Sequence, residues 1–396
     1  MSADDSKSAR LSVVILSTAD YDSAVWTNKQ HLANGIAANG LNVFYIESLG
    51  LRQPSFSRRD FGRIVNKIRR RTKGPNSISL RPEPPQKLRI ITPRILPFHR
   101  FSGVRAINKF LMAWTVNREL PAPKDYILWT FSPYTYGLET GCVHTVYHSV
   151  DLLHTLPGVP VSSTLAAEVK LLAKAGTVIA SSSGVAQHLS RLSGIAVKLW
   201  ENVAETGVFA SAAPAVRLPR VIFAGNLTAT KVDVSLLEGI VAAGVPLAIA
   251  GPIGVDGTSG KAFTKLLAHS QVTYLGNLSL PELADEVGKS VVGVIPYFVN
   301  GYTQGVFPMK VFEYLSAGLH VVSTDIASLV NKEGIVGLTV TPADTFVATV
   351  LSAVSEFTDS AAAQRRDGAR DHSWRSRNKE VLRLIEDVSL RNSESM

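Results

Sequence analysis

The apolar positions along the chain gather into short runs instead of alternating singly. Leu11 to Ser17 (LSVVILS) is such a run, rich in β-branched residues. Runs of this kind form parallel strands covered by helices on both faces. A polar loop follows, then a helical pattern from about Trp26 to Ala38, closed by Asn39-Gly40, then a second strand at Asn42 to Glu47 (NVFYIE). Strand, helix and strand in that order predict a βαβ opening and a doubly wound sheet. Residues 51 to about 97 are less regular and include a proline-rich stretch, Arg81 to Gln86. The alternation resumes with a helix near Val104 to Arg118 and strands at Tyr126 to Trp129 and Thr145 to His148. A helix over Ser162 to Ala175 and a strand at Thr177 to Ala180 complete this first set.

A second set opens at Arg220 to Ala224 (RVIFA), with further strands at Pro246 to Ala250, Val272 to Leu275, Val291 to Pro296 and His320 to Thr324. Between the two sets, residues 205 to 218 replace the apolar pattern with Ala, Ser, Pro and charged residues. The expected organisation is a Rossmann-like domain over 1–212, a second over 213–372 and a final helix in 373–396. A chain of 396 residues suits two cores, since single cores stop growing at a few hundred residues. In open α/β sheets ligands bind outside the carboxyl ends of the strands.

Composition narrows the class. With 45% hydrophobic and 18% charged residues the chain has ample material for packed cores and lacks a disordered composition. Cys142 is the single cysteine, which excludes an intrachain disulfide or a thiolate zinc cluster and fits a cytoplasmic protein. The polar stretch Met1 to Arg10 has no secretory h-region, and the uncharged stretch Gly239 to Val255 is broken by Pro246 and Pro252. No segment is therefore expected to cross a bilayer.

The net charge of +9 is concentrated locally, because Arg52 to Lys73 holds nine basic residues against the single acid Asp60. Within it Phe61, Ile64, Val65 and Ile68 recur at helical spacing, flanked by Arg63, Lys67, Arg70 and Arg71. That is an amphipathic basic helix suited to an anionic membrane surface, on the inner face of the cell membrane. The same pattern also fits the solvated face of a helix packed on a core. Nucleic acid is the poorer partner, since no aromatic platform accompanies the charge.

The chemistry is most legible in Gly305 to Thr324, GVFPMKVFEYLSAGLHVVST. Gly305 and Pro308 suit a turn into a helix from about Met309 to Ala317, stopped by Gly318. The start of such a helix faces an anion well, and Lys310 adds a full charge there. Glu313 shares its face and can accept both hydroxyls of a ribose. An ordinary amphipathic helix with a solvated Lys–Glu pair has the same spacing.

The run P-x-K-x-x-E-Y-x-x-A-G-x-x-V-V resembles the donor-site helix of GT-B glycosyltransferases, and the resemblance extends over most of the chain. Ser181 to Leu189 (SSSGVAQHL) resembles the serine-led helix after the last strand of the first domain, and Glu201 to Phe209 (ENVAETGVF) the interdomain segment. Ala224-Gly225-Asn226-Leu227 with Lys231 resembles a G-R-L-x-x-x-K phosphate loop, with asparagine in place of arginine. Gly305 stands where the large retaining group of this fold carries an acid. A nearer resemblance is to the membrane-associated xanthan-type glucuronosyltransferases, through Tyr147 to Asp151 (YHSVD) and the pair Met309-Lys310. It implies an α/β GT-B fold of two doubly wound parallel-sheet domains facing a cleft, the first binding the acceptor and the second the donor. It further implies a final helix packed back on the first domain and Asp151 as the base of an inverting transfer.

Asp151 also earns that role on its own position. It follows an apolar strand in a loop near His144, His148 and His154, and an inverting transfer needs one base for the acceptor proton. A capping role in the following turn fits the same position. The expected donor site comprises Gly225, Asn226, Lys231, Met309, Lys310 and Glu313, with Tyr297 to Gln304 (YFVNGYTQ) lining the sugar pocket. Asp20, Tyr21, Trp26 and Asn28 are candidates for acceptor contact. The expected reaction moves a sugar from a nucleoside diphosphate, UDP by family, to a hydroxyl of a lipid-linked or growing-glycan acceptor in cell-envelope or exopolysaccharide assembly. No cofactor or metal is expected, although His144 and His148 have H-x-x-x-H spacing. A nucleotide-sugar epimerase of the same fold and a non-catalytic nucleotide-binding module are the alternatives. A dehydrogenase is disfavoured, because Ser17 to Asp22 (STADYD) lacks a G-x-G-x-x-G loop.

Overall fold

The computed structural model describes residues 11–394 except 24–25, 51–82, 97, 123–124, 157, 213–216, 255–260 and 333. The basic segment with Arg63, Lys67, Arg70 and Arg71 lies outside the described residues. Among the described residues no helix is long and apolar enough to cross a membrane.

The chain divides into two compact units. The first comprises residues 1–181, 185–200 and 378–396, and the second residues 182–184 and 201–377. The first sheet is built from β1 (Ser12–Leu16), β2 (Val43–Ile46), β3 (Leu88–Ile91), β4 (Tyr126–Thr130), β5 (His144–Ser149), β6 (Thr177–Ala180) and β7 (Lys198–Leu199). The second is built from β8 (Val221–Ala224), β9 (Leu247–Ala250), β10 (Val272–Gly276), β11 (Val292–Ile295), β12 (His320–Thr324) and β13 (Leu338–Thr341). The helices that matter below are α1 (Asn28–Ala38), α2 (Ser102–Glu119), α3 (Val161–Leu172), α4 (Ser183–Ser193), α5 (Lys310–Ser316) and α6 (Trp374–Glu394).

All pairs within both sheets are parallel. The strand orders are β3-β2-β1-β4-β5-β6-β7 and β10-β9-β8-β11-β12-β13. Both are the doubly wound pattern anticipated from the alternating runs. Each order reverses direction once, between β1 and β4 and between β8 and β11, and these are the switch points where open α/β sheets take ligands.

Strand periodicity explains why β1 reads as an unbroken apolar run. Val13 and Ile15 point into one core with Leu32 and Ile36 of α1 and Val381, Leu384, Ile385 and Val388 of α6. Val14 and Leu16 point into the opposite core, with Leu128 of β4 and Met112 of α2. Both faces are covered, so every residue of β1 is buried, and each large apolar side chain there contributes about 1.5–3 kcal/mol. The second unit has one continuous core around Val221 to Ala224, Leu247 to Ala250 and Val292 to Ile295.

Two local details differ from the sequence pattern. Helix α1 begins at Asn28, two residues late, because the Thr27 N–H donates to Gln30 Oε1 at 3.0 Å and sets the start as a capping box does. Three edge strands, β3, β7 and β13, have no counterpart in the apolar pattern. Their residues are largely half-buried or exposed, so selection for apolar character is weak there.

Candidate active site

In the second unit, the β8/β11 switch point is bordered by the turn after β8 and the loop after β11. Gly225 follows β8 with φ of +146°, a conformation open to glycine, and a Cβ built on it would lie 2.4 Å from Lys310 Nζ. Any larger residue would displace that ammonium group. Asn226 is half-buried beside it. The turn is tied to the opposite loop, since Phe298 N–H donates to the Lys231 carbonyl at 2.9 Å and Asn300 Nδ2 to the Thr230 carbonyl at 3.2 Å. Thr324 Oγ1 donates to the Tyr297 carbonyl at 2.6 Å and accepts its N–H at 3.2 Å. Tyr297 is thereby fixed between the two loops.

Three residues from separate segments meet there. Lys310 Nζ donates to Tyr297 Oη at 3.1 Å, and Lys231 Nζ lies 4.8 Å from the Tyr297 ring centroid. Burial opposes ionisation of the phenol, but the Lys231 and Lys310 charges outweigh it and bring the group down to about 8. Burial also disfavours the charged Lys310, an effect overcome by Tyr297 and Glu313, so its pKa is raised. The Glu313 carboxyl is pushed up by burial, with Lys310 opposing. The site therefore concentrates cationic charge held by one ionisable phenol.

The charge arrangement has a measurable consequence. A phenol at about 8 in the folded chain against about 10 in the unfolded one stabilises the fold progressively as pH rises across that window. That gain is lost as pH falls back through the folded value. One tyrosine should thus titrate near pH 8 by tyrosinate absorbance. A nucleoside diphosphate competing for the two lysines should move this titration upward. Substituting Tyr297→Phe should remove the early phase, and its persistence would assign it to another residue.

Helix α5 is fixed more by its tyrosine than by its caps. Tyr314 is fully buried, and its Oη accepts the Ala224 N–H at 2.8 Å, joining α5 to the end of β8. Gly318, at φ +88°, ends the helix as expected. At the other end Val311 N–H donates to the Pro308 carbonyl, while Phe312 and Glu313 N–H groups donate to that of Met309. The first turn thus uses several of its N–H groups internally, and the cationic side chains carry most of the positive character. Met309 is half-buried and Gln304 is exposed in the short turn Thr303–Gly305. Removing one hydroxyl by Tyr314→Phe should leave the Ala224 N–H buried without its acceptor and cost about 1–3 kcal/mol in denaturant unfolding. A change below about 0.5 kcal/mol would mean that the N–H finds another partner.

In the first unit, the start of α1 and the ends of β4 and β5 bring Lys29, Phe131 and Asp151 together. Lys29, in the first turn of α1, is buried, with Nζ 5.6 Å from the Phe131 ring centroid. Burial lowers its pKa, and the charge of Asp151 opposes that. Asp151 is half-buried just beyond β5, and its carbonyl accepts from Ser149 Oγ at 3.3 Å. The sequence reading missed Lys29, since a lysine in the polar run Thr27 to Gln30 carries no sign of burial. His148 is buried among Trp129, Phe131 and Trp200.

The residues proposed for acceptor contact occupy the loop after β1. Tyr21 is buried, its N–H donating to Glu47 Oε1 at 3.1 Å, its ring 5.6 Å from Trp26 and 5.4 Å from Tyr45. The Asp20 carbonyl accepts from Ser23 Oγ at 2.6 Å and Gln30 Nε2 at 3.0 Å. Asn28 is buried at the start of α1. Tyr21 and Asn28 are thus part of the framework of this loop.

The histidines separate. His144 and His148 lie on one strand, where four residues span about 13 Å, so they do not share a metal ion. Among the described residues, His154, Glu168 and His188 bring ligand-type atoms within 4.8 Å of one another. The buried Glu168 accepts from Tyr147 Oη at 2.5 Å and meets His188 Nε2 at 2.7 Å, while His154 stacks on His188. Tyr147 of the Y-x-x-x-D segment therefore serves to fasten β5 to α3.

Two Rossmann-like units with parallel sheets, each with one switch point, define a GT-B fold. Residues 218–357, in the second unit, match the family model of glycosyl transferases group 1. Sucrose-phosphate synthase from Thermosynechococcus elongatus is similar in structure, with TM-score 0.67 at 15% identity, over 96% of this chain and 99% of that one. HepE of Anabaena, solved in complex with UDP and glucose, has TM-score 0.63 at 13% identity, over 95% and 99%. In sequence, TuaH of Bacillus subtilis (strain 168), a glycosyltransferase assigned to teichuronic acid biosynthesis, is 36% identical over 77 residues. That match covers 19% of this chain and 19% of the length of TuaH.

Proposed function

We propose that the chain transfers a hexosyl or hexuronosyl group from a UDP-sugar to a hydroxyl of a lipid-linked or growing glycan in bacterial cell-envelope assembly, with inversion. The observation that carries this reading is the pair of ammonium groups, Lys231 and Lys310, held on Tyr297 beside the Gly225 turn at a switch point. A diphosphate is the ligand that such a site fits best, since two fixed cations match its charge without a metal ion. Glu313 lies one helical turn from Lys310 and suits the ribose hydroxyls. The UDP and glucose held by HepE and the polymer to which TuaH is assigned support the same substrate classes.

In this reading the acceptor oxygen bonds to the anomeric carbon as the bond from that carbon to the diphosphate breaks. The acceptor proton passes to the Asp151 carboxylate, and the leaving diphosphate takes the bonding pair beside Lys231 and Lys310. Attachment to an anionic membrane through Arg63, Lys67, Arg70 and Arg71 would bring the enzyme to a lipid-linked acceptor.

Calorimetry with free UDP, GDP, ADP and TDP, followed by turnover with a panel of the corresponding sugars, tests the proposal. Tight binding of UDP and a product of inverted anomeric configuration are expected. Binding of no diphosphate would overturn the donor site, and a product of retained configuration would overturn the role of Asp151.

A further inference from the structure

Helix α2 presents an apolar face that the first unit does not bury. Only Asn108, Met112 and Thr115 of its residues are buried, and they fall on one narrow stripe. Gly103, Ala106, Ile107, Phe110, Ala113 and Trp114 recur at helical spacing on another, and all six are exposed. Phe110 is 73% exposed, Ile107 50% and Trp114 43%, with Phe101 just before the helix at 47%. Side chains of this size seldom stand together in water without a partner.

The charge around this face indicates what kind of partner. From Lys87 to Arg118 the chain carries seven basic residues, Lys87, Arg89, Arg94, Arg100, Arg105, Lys109 and Arg118, and no carboxylate. Arg94 and Arg118 lie over the Trp114 ring at 5.5 and 5.4 Å, and Arg100 over Phe101 at 4.3 Å. Glu119, at the end of α2, pairs with Arg89 and Arg118. Aromatic rings beside guanidinium groups are the composition of a surface that enters the boundary between lipid headgroups and acyl chains. A second copy of this face would bring like charges together, which argues against self-association through it.

We infer that the exposed face of α2, centred on Phe110 and Trp114, is a docking surface for a bilayer containing anionic lipid. The inference rests on the membrane-peripheral part of the function proposed above, and it assigns insertion to residues other than the basic segment 52–73. Apolar contact and charge should act together, so binding should need anionic headgroups and weaken with salt.

Vesicle flotation with the full chain tests it, using phosphatidylglycerol–phosphatidylcholine vesicles against phosphatidylcholine alone. The wild type should float with the anionic vesicles only, and Phe110→Ser with Trp114→Ser should lower partitioning by roughly 100-fold. Circular dichroism and thermal unfolding matched to the wild type establish that the double variant is folded. Because Phe110 and Trp114 are exposed, unchanged folding is expected. A milder pair, Phe110→Leu with Trp114→Leu, should retain most of the binding. Wild-type partitioning by the serine variant, while Arg63, Lys67, Arg70 and Arg71→Gln abolishes it, would overturn the inference and leave membrane attachment in place. Absence of wild-type binding to either vesicle would overturn both. A wild-type dimer in sedimentation equilibrium that the serine variant dissociates would make the face a self-association surface and also overturn the inference.

Discussion

Replacing Asp151 with asparagine should lower kcat by roughly 10²–10⁴ while leaving UDP affinity close to that of the wild type. The substitution keeps the shape of the side chain but removes its capacity to take a proton, and the residues proposed to hold the donor, Lys231, Tyr297 and Lys310, belong to the other unit. Lys29 sharpens the expectation. Its charged form is opposed by burial and supported by the Asp151 charge, so neutralising Asp151 should drive the Lys29 pKa lower still. A modest loss of stability should accompany the loss of rate, and denaturant unfolding of the same preparation separates the two. A residue that only capped the turn after β5 would behave otherwise, because asparagine caps nearly as well and turnover would stay near normal. Near-normal turnover would move the search for the base to Asp20 or His148.

The second large effect is expected at Glu313. Removing its carboxylate by Glu313→Ala should weaken nucleoside diphosphate binding by about 1.5–3 kcal/mol, the usual worth of a hydrogen bond to a charged group. Burial raises the pKa of this carboxyl, so wild-type affinity should fall as pH drops through that raised value and the acceptor lone pairs acquire a proton. The alanine variant should lack this pH dependence. Calorimetry across pH on both proteins checks both statements, and equal affinities would place the ribose elsewhere.

The alternating runs revealed the sheets because parallel strands covered on both faces must be apolar throughout. Strands such as β1, β4 and β8 are buried at every residue, and their signal survives in the sequence. At the edges that constraint relaxes: β3 (LRII) exposes its two central residues, and β7 is two exposed residues. Within the site, Lys310 and Glu313 were legible because one helix fixes their spacing. Lys231 and Tyr297 enter the same site through the resemblance alone. The direct contact of both lysines with the Tyr297 phenol was not legible, since it forms only when two loops and a helix converge at a switch point. Tyr314 stood in the donor-helix motif, but its bond to the Ala224 N–H spans ninety positions of chain and no local pattern carries it. Lys29 was hidden by the opposite effect, a buried charge within a polar run.

The insertion of the second unit between residues 200 and 378 has a consequence for biosynthesis. A chain emerging from the ribosome completes every strand of the first sheet by Leu199. The core around Leu32 and Ile36 still lacks Val381, Leu384, Ile385 and Val388. Those side chains arrive last, after the inserted unit has been made in full. The nascent N-terminal sheet must therefore wait with one apolar face only partly covered, by α1 without α6, a state that invites chaperone capture or aggregation. Premature termination before α6 should harm the unit made first, while sparing the one made second.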